Sequence, residues 1–234
     1  MKKTLFSILL ITFISIGAYG QLTRNVGTSV TNRAGNELIP ITHLRLKTID
    51  KSLSEEDVNL QKKKYLFYSY NEAAVDDYDT KAFVRYNIFD DEMEFVKDES
   101  IYYLAKEIGR KIRFINTNSI YKVFEFKGEL HFFKVHVEGK NSLIAKQKVR
   151  YIEEKVAKSG YDRAKPANYK RLKDELYLVI DNKKMVKLSK KSKKEFFKSF
   201  GDKSSEIQKY AKKNKLGRKS IEDLKKIVTY YNTL

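Results

Sequence analysis

Residues 82–96 read AFVRYNIFDDEMEFV, two apolar-rich runs separated by the acidic turn Asp90-Asp91. In the second run Met93 and Phe95 alternate with glutamates, which places the apolar pair on one face of a strand and the carboxylates on the other. Strands joined by so short a turn are antiparallel neighbours, because a parallel pair needs a much longer crossover. The stretch therefore predicts an antiparallel hairpin with one apolar face.

The same pattern of short apolar runs and tight turns continues to Leu188. Lys127-Gly128-Glu129 is typical of a hairpin turn, because glycine readily takes the positive φ that such turns require. Residues 155–173, basic around Gly160 and Pro166, are expected to be an exposed connection. Residues 81–188 are therefore predicted to form an antiparallel β-meander, as a curved sheet or a partly closed barrel. Further strands are predicted at 101–104, 112–115, 121–126, 130–137, 143–154, 176–180 and 185–188.

Beyond residue 188 the spacing of the apolar residues changes from two to about 3.6, the period of an α-helix. Ser192, Asp202 and Ser220 are typical of residues that begin helices. We therefore predict about three helices in the basic C-terminal region 189–234, packed on the sheet, which makes the fold α+β. The apolar stripe of the last helix comprises Ile221, Leu224, Ile227, Val228 and Tyr231.

The first 20 residues have the features of a cleaved secretory signal peptide. Lys2 and Lys3 precede an apolar stretch that ends near Ile16, and small residues follow at Ala18 and Gly20. The stretch is shorter than the roughly 20 residues of a bilayer-spanning helix, and we expect no transmembrane span in the mature chain. The chain has no cysteine, which argues against a lipid anchor and a disulfide scaffold. We therefore expect an exported protein, periplasmic or extracellular, that is not a lipoprotein.

Residues 21–80 are expected to form an N-terminal arm with short strands and one short helix. The helix is predicted to begin at Ser52, because Glu55 follows three residues later as in a capping box. A strand is predicted at 65–68 and an acidic loop at 71–80.

The net charge of +18 is concentrated near the C-terminus. Residues 183–226 contain 17 Lys and Arg against five acidic residues, a net charge of +12. Such a surface attracts the anionic groups of a polymer, although a solvated helical face would carry the same lysines. Because Lys outnumbers Arg and the aromatic residues form no stacking platform, nucleic acid is not the expected partner. The candidate polyanion-binding residues are Lys190, Lys191, Lys193, Lys194, Lys212, Lys213, Lys215, Arg218 and Lys219.

The sequence assigns no catalytic, cofactor-binding or metal-binding residue. His131 and His136 are five residues apart in one predicted strand, so they point to opposite faces and cannot share a metal. The carboxylates at 90–94 lack the spacing of a calcium loop and are expected to form the solvated face of a hairpin turn. The chain contains no nucleophile motif and no glycine-rich phosphate loop.

Several short segments occur along the chain in a fairly specific order. They are Val84-Arg85-Tyr86-Asn87, Asp91-Glu92-Met93-Glu94, residues 133–139, Ala164-Lys165-Pro166-Ala167, residues 212–216, Glu222-Asp223-Leu224 and Tyr230-Tyr231-Asn232. In these segments the chain resembles a family of short exported proteins of the bacteroidete group of Gram-negative bacteria, without an assigned activity. The resemblance implies export and a β domain followed by basic helices, and it supplies no site residues.

These observations predict a non-enzymatic exported module that either binds an unknown protein partner or supports the cell envelope. One alternative is a protein that binds anionic envelope polymers through its Lys-rich C-terminal helices. A further alternative is a hydrolase whose site is built from dispersed carboxylates. No cofactor is expected in any of these functions.

Overall fold

The computed structural model describes residues 29–31, 37–40, 44–47, 54–76, 81–97, 100–157, 163–189 and 192–234. The predicted signal peptide at 1–20, His43, Lys190 and Lys191 lie outside the described residues. The helices are α1 Glu55–Lys62, α2 Lys193–Lys198, α3 Ser204–Lys213 and α4 Ile221–Tyr231, with a 3₁₀ turn at Gly201–Lys203 between α2 and α3. The strands are β1 Ser29–Thr31, β2 Glu37–Pro40, β3 Leu44–Lys47, β4 Asn71–Val75, β5 Lys81–Asn87, β6 Glu92–Lys97, β7 Ser100–Leu104, β8 Lys111–Phe114, β9 Ser119–Phe126, β10 Glu129–Val137, β11 Ser142–Lys146, β12 Val149–Ile152, β13 Asn168–Arg171, β14 Glu175–Ile180 and β15 Lys184–Lys187.

Eleven strands form one antiparallel sheet in the order β15-β14-β11-β10-β9-β8-β4-β5-β6-β7-β3. Eight of these strands form two four-stranded meanders, β4–β7 and β8–β11, joined where β4 pairs with β8, while β14 and β15 extend the sheet beyond β11 and β3 extends it beyond β7. The strands β1 and β2 form a separate pair, and so do β12 and β13. The predicted α+β fold with an antiparallel meander is confirmed, and the sheet is not closed.

The sheet is strongly curved. Tyr86 of β5 packs against Tyr121 of β9 and Phe132 of β10, with ring centroids 5.1 and 5.9 Å apart. Four strand spacings separate β5 from β10 along the sheet, about 19 Å if the sheet were flat. The rings meet because the sheet bends around a core that includes Val84, Met93 and further residues of β4 to β10.

The helices pack on the sheet, as predicted, and they cover it near its β15 edge. Leu143 and Ala145 of β11 pack in one cluster with the buried side chains of the helices. The intervening Ile144 packs on the opposite face with Phe133 and Tyr177. All five residues of β11 are therefore buried, which is the environment of a strand covered on both faces. The buried helical side chains include Phe196, Phe197, Phe200, Ile207, Ala211, Leu224, Ile227 and Val228.

The N-terminal part differs from the prediction in three places. Helix α1 begins after Ser54, not Ser52, because the Ser54 side chain accepts a hydrogen bond from the Asp57 N–H and Asp57 bonds back to the Ser54 N–H. Tyr65 forms only a single bridge, to Asn87, in place of the predicted strand at 65–68. Residues 71–75, predicted as part of an acidic loop, instead form the central strand β4, with Ala73 and Val75 in the core.

Two differences lie further along the chain. The run 143–154, predicted as one strand, divides into β11 and β12, and the predicted connection at 155–173 folds back as β13 to pair with β12. Asp202 does not cap α3: the helix begins directly after the 3₁₀ turn and has no side-chain cap. The predicted caps at Ser192 and Ser220 are confirmed, because each hydroxyl accepts a backbone hydrogen bond, from Glu195 and Asp223 respectively.

Candidate functional site

The candidate polyanion-binding lysines that the structure describes, at 193–219, lie on the outer surface of the helical layer. In α2 the residues Phe196 and Phe197 are buried, whereas Lys193 and Lys194 are exposed. The apolar residues of an amphipathic helix face the core, so the alternating charged residues are left in water. The structure therefore places the predicted lysines where a large ligand can reach them.

A groove of about 760 Å³ lies between α2 and α3. Three lysines line it, Lys193, Lys194 and Lys198, the last of which the sequence analysis did not select. The other lining residues are Phe197, Gly201, Ser204 and Gln208. No carboxylate lines the groove, so its charge is positive and its floor is partly apolar.

The second group of predicted residues lies at the opposite end of α3. Lys212 and Lys213 are the last two residues of that ten-residue helix, which spans about 15 Å at 1.5 Å per residue. Lys215 and Lys219 are exposed and Arg218 is half-buried in the loop that follows. The structure thus brings the predicted residues together as two groups at the two ends of α3, and not as one cluster.

Most lysines of the helical layer have no anionic partner within the part of the chain that the structure describes. Residues 192–234 contain 11 lysines, and only Lys203 and Lys225 form ion pairs, with Glu206 at 3.6 Å and Glu222 at 2.8 Å. The unpaired members are Lys193, Lys194, Lys198, Lys209, Lys212, Lys213, Lys215, Lys219 and Lys226. Positive charges that are not neutralised by the protein itself are available to an external anion.

A second groove, of about 410 Å³, runs along α4. Its lining includes Tyr210 and Tyr230, whose rings stack 3.8 Å apart with an angle of 9° between their planes. Lys225 and Lys226 lie beside this pair of rings. The groove therefore combines flat aromatic surface with two cations and with the carboxylate of Glu222, which is paired with Lys225.

Of the carboxylates predicted to form the solvated face of the β5–β6 turn, Asp90 is exposed as predicted, whereas Asp91 is largely buried. Asp91 is only 13% exposed, and its Oδ1 accepts a hydrogen bond from the Tyr86 hydroxyl at 2.6 Å. Its Oδ2 lies 2.7 Å from His131 Nδ1 and 2.8 Å from Lys146 Nζ. Burial lowers the pKa of Lys146 below its usual value, against the opposite effect of Asp91. The cluster joins the turn to the start of β10 and the end of β11.

Glu94 is the second carboxylate that the sequence placed in water, and its side chain is fully buried. Arg85 Nε donates to it at 3.0 Å, and the guanidinium lies 4.1 Å from the ring centroid of Tyr65 and 4.4 Å from that of Tyr70. Burial, together with the adjacent Glu94 carboxylate, raises the pKa of Tyr70 to about 12. The segment that precedes β4 therefore covers this face of the sheet and buries the ion pair.

The histidines occupy different surroundings. His131 contacts Asp91, whereas the pKa of His136 is lowered to about 4 by burial and by the nearby Lys134 and Lys225.

Within the described residues no group of three or more His, Asp or Glu side chains could hold a metal ion. Helices long and apolar enough to cross a membrane are likewise absent from that part of the chain.

Sequence reasoning did not find Lys198 or the Asp91 cluster, for different reasons. Lys198 was detectable, since it is four residues after Lys194 and therefore on the same face of α2. The contacts of Asp91 with His131 and Lys146 join residues 40 and 55 positions apart, and no local sequence pattern predicts them.

No protein-family model, no curated protein and no solved structure matches the chain.

Proposed function

We propose that the protein is a non-enzymatic binding module that holds an anionic polymer on the lysines of its helical layer. The proposal rests on the exposed lysines of α2 and α3, which have no ion-pair partners among the described residues. Like charges held close together repel one another, and a polymer with regularly spaced anions relieves that repulsion along its whole length.

The spacing of the two lysine groups favours a polymer over a small ligand. The groove at Lys193, Lys194 and Lys198 and the group at Lys212 and Lys213 are separated by the length of α3. A single phosphate or sulfate can contact one group, whereas a chain longer than about 15 Å contacts both. The charge on the ligand chain is the property that is recognised, because Lys acts as a point charge without bidentate geometry.

We place the protein in the cell envelope, which supplies anionic polysaccharides and the phosphates of lipopolysaccharide. The support for this location is the signal-like character of residues 1–20 and the resemblance to exported bacteroidete-type proteins. An unknown protein partner with an acidic surface would use the same lysines.

Retention on immobilised heparin, a sulfated polysaccharide, tests the proposal. The triple variant Lys193→Gln, Lys194→Gln, Lys198→Gln should elute at a lower salt concentration than the unmodified protein. Each lost contact should reduce the slope of log affinity against log salt, by about 0.7 to 0.9 if heparin releases counterions as nucleic acids do, so we expect a reduction of roughly two to three.

A matched control variant distinguishes the loss of a specific binding site from the loss of net positive charge. The triple variant Lys62→Gln, Arg113→Gln, Lys127→Gln removes the same charge from exposed positions on α1, β8 and the β9–β10 turn. We expect it to keep most of the heparin retention. Equal losses in both triple variants would show that only the net charge matters and would overturn the proposed site.

A further inference from the structure

The strands β12 and β13 form a basic ribbon that extends beyond the sheet. Backbone hydrogen bonds run from Leu172 N–H to Lys148 O at 2.9 Å and, further out, in both directions between Lys155 and Lys165 at 2.8 Å. Residues 150–157 are exposed without exception. A two-stranded ribbon has no core of its own, so its outer part presents both faces to its surroundings.

The ribbon pairs like charges across its two strands. Arg150 lies directly opposite Lys170, and Lys155 lies directly opposite Lys165. None of these four residues has an ion-pair partner among the described residues. Like charges at opposed positions destabilise a strand pair, and an anionic surface beside the ribbon would remove that cost. Residues 148–173 carry nine Lys and Arg against three acidic residues, a net charge of +6 that includes Glu153 and Glu154.

Apolar side chains accompany these cations. On the ribbon, Val156 is 69% exposed, Tyr151 42% and Ile152 36%. Phe89 in the β5–β6 turn is 38% exposed and packs against Tyr169 of β13. Single exposed apolar residues are ordinary on protein surfaces, whereas a group of them together marks an interaction surface.

A further apolar residue, Ile108, is 71% exposed. It belongs to the β7–β8 connection, whose Lys106 forms ion pairs with the β5–β6 turn at Asp91 and Glu92. Asp91 in turn contacts Lys146, at the end of β11, from which the ribbon emerges. Five of the nine exposed large apolar residues described by the structure thus lie on the ribbon, in the β5–β6 turn or in the connection that is ion-paired to that turn: Phe89, Ile108, Tyr151, Ile152 and Val156.

We infer that the ribbon, together with the β5–β6 turn and the β7–β8 connection, docks on an anionic lipid bilayer. Aliphatic side chains surrounded by Lys and Arg suit the bilayer interface, where the aliphatic groups enter the acyl region and the cations contact the headgroup phosphates. A sugar polymer would be held by aromatic faces and has no use for Val156 and Ile108. An ordinary protein interface has few charged residues at its centre. The inference is independent of the proposed polymer site, because it uses different residues.

Sedimentation with lipid vesicles tests the inference. The purified protein should bind vesicles of phosphatidylcholine with about 30% phosphatidylglycerol, and should not bind pure phosphatidylcholine vesicles. Raising NaCl to about 0.5 M should release most of the protein, because surface charges are then screened within a few ångströms. Equal binding to both kinds of vesicle, or binding to neither, would overturn the inference.

Variants locate the surface. The charge-neutral double variant Val156→Ser, Ile108→Ser should lower the partition coefficient on anionic vesicles at least about tenfold. Phe83→Ser is the matched control, since Phe83 is 56% exposed on β5 but lies four residues, about 13 Å, before the end of that strand. The Lys155→Gln, Lys165→Gln variant should also bind less and should remain folded, because it removes a like-charge pair.

The two proposals fail independently. The serine double variant should retain its elution position on heparin, and the α2 glutamine triple variant should retain vesicle binding. If vesicle binding is lost in the α2 variant and kept in the serine variant, the lipid contact belongs to the helical layer and the ribbon has no role in it.

Discussion

The side chain of Asn232, just after α4, makes two hydrogen bonds to the backbone of Asn141 in the β10–β11 turn. Its Nδ2 donates to the Asn141 carbonyl at 2.8 Å, and its Oδ1 accepts from the Asn141 N–H at 2.8 Å. The last residues of the chain therefore fasten the helical layer to the sheet. Gly139 makes the approach feasible, because a Cβ at that position would lie 2.8 Å from Asn232 Nδ2.

We predict that Asn232→Ala lowers the free energy of unfolding by about 2 kcal/mol, because it leaves the N–H and C=O of the buried Asn141 unpaired. Gly139→Ala should also destabilise, since its new methyl group displaces the Asn232 amide. In the double variant the second change should cost less than it does alone, a coupling measurable by urea unfolding. Thr233→Ala, at the exposed next position, is the control, and strictly additive costs would contradict the prediction.

We predict that Glu94→Gln destabilises the protein by about 3 to 5 kcal/mol, because it leaves the Arg85 guanidinium without its buried counter-charge. The double variant Arg85→Met, Glu94→Leu should recover part of this loss, because it removes the unpaired charge, while the Tyr65 and Tyr70 hydroxyls still lose Glu94 as their acceptor. Glu222→Gln, which breaks the exposed pair with Lys225, should cost less than about 1 kcal/mol. Denaturant unfolding of the three variants decides the matter: a similar cost for Glu94→Gln and Glu222→Gln would contradict it.

An asymmetry is expected within the Asp91 cluster. Asp91→Asn removes the carboxylate that compensates the 8%-exposed Lys146, so we expect a loss of about 3 kcal/mol. Lys146→Met should cost less, because Asp91 keeps its contacts with Tyr86 and His131. Thermal unfolding of the two variants at neutral pH compares them directly, and a larger loss for Lys146→Met would refute the assignment of Asp91 as the centre of the cluster.

His136 should make the protein less stable in mild acid. Its pKa falls from the ordinary 6.5 to about 4 in the fold, so between these values the unfolded chain binds a proton that the folded chain does not. Stability contributed by the neutral imidazole is therefore complete above pH 6.5 and is lost as the pH falls towards 4. Lys134 and Lys225 oppose protonation, whereas Asp174 and Glu222 favour it.

The measurement is the difference in unfolding free energy between about pH 7.5 and about pH 4.5, compared between the unmodified protein and His136→Gln. We expect the variant to lose less stability on acidification, by on the order of 1 kcal/mol after allowance for solvent screening of a partly exposed group. Identical pH dependence in the two proteins would show that the imidazole is protonated equally in the folded and unfolded states.

Local patterns were sufficient for the elements whose partners are close in sequence. The positive φ of Lys127 and Gly128 confirms the hairpin turn that the residue types alone predicted, and Asp181 and Asn182 also have positive φ in the turn between the predicted strands 176–180 and 185–188. The spacing of Leu224, Ile227 and Val228 likewise identified the buried face of α4. In each case the determining interactions lie within about ten residues, where propensity and periodicity act.

The features that the sequence did not predict depend on contacts between residues far apart in the chain. The acidic residues of 71–80 suggested a loop, yet Ala73 and Val75 are buried because β8, almost 40 residues later, supplies one of the neighbours of β4. Glu94 was expected in water because nothing near it in sequence shows that Tyr65 and Tyr70 cover it. The lysines of the helical layer were identified as exposed, but their division between the two ends of α3 required coordinates.

The pairing of β4 with β8 has a consequence for synthesis of the chain. The strands β4 to β7 precede β8 in the chain and so emerge before it from the ribosome or from a translocation pore, and until β8 follows, one edge of β4 has no neighbour in the sheet. That edge carries Ala73 and Val75, which are apolar, and unpaired apolar edges are templates for aggregation. We therefore expect the chain to be most prone to aggregation before β8 pairs with β4. A chaperone should help most during that interval.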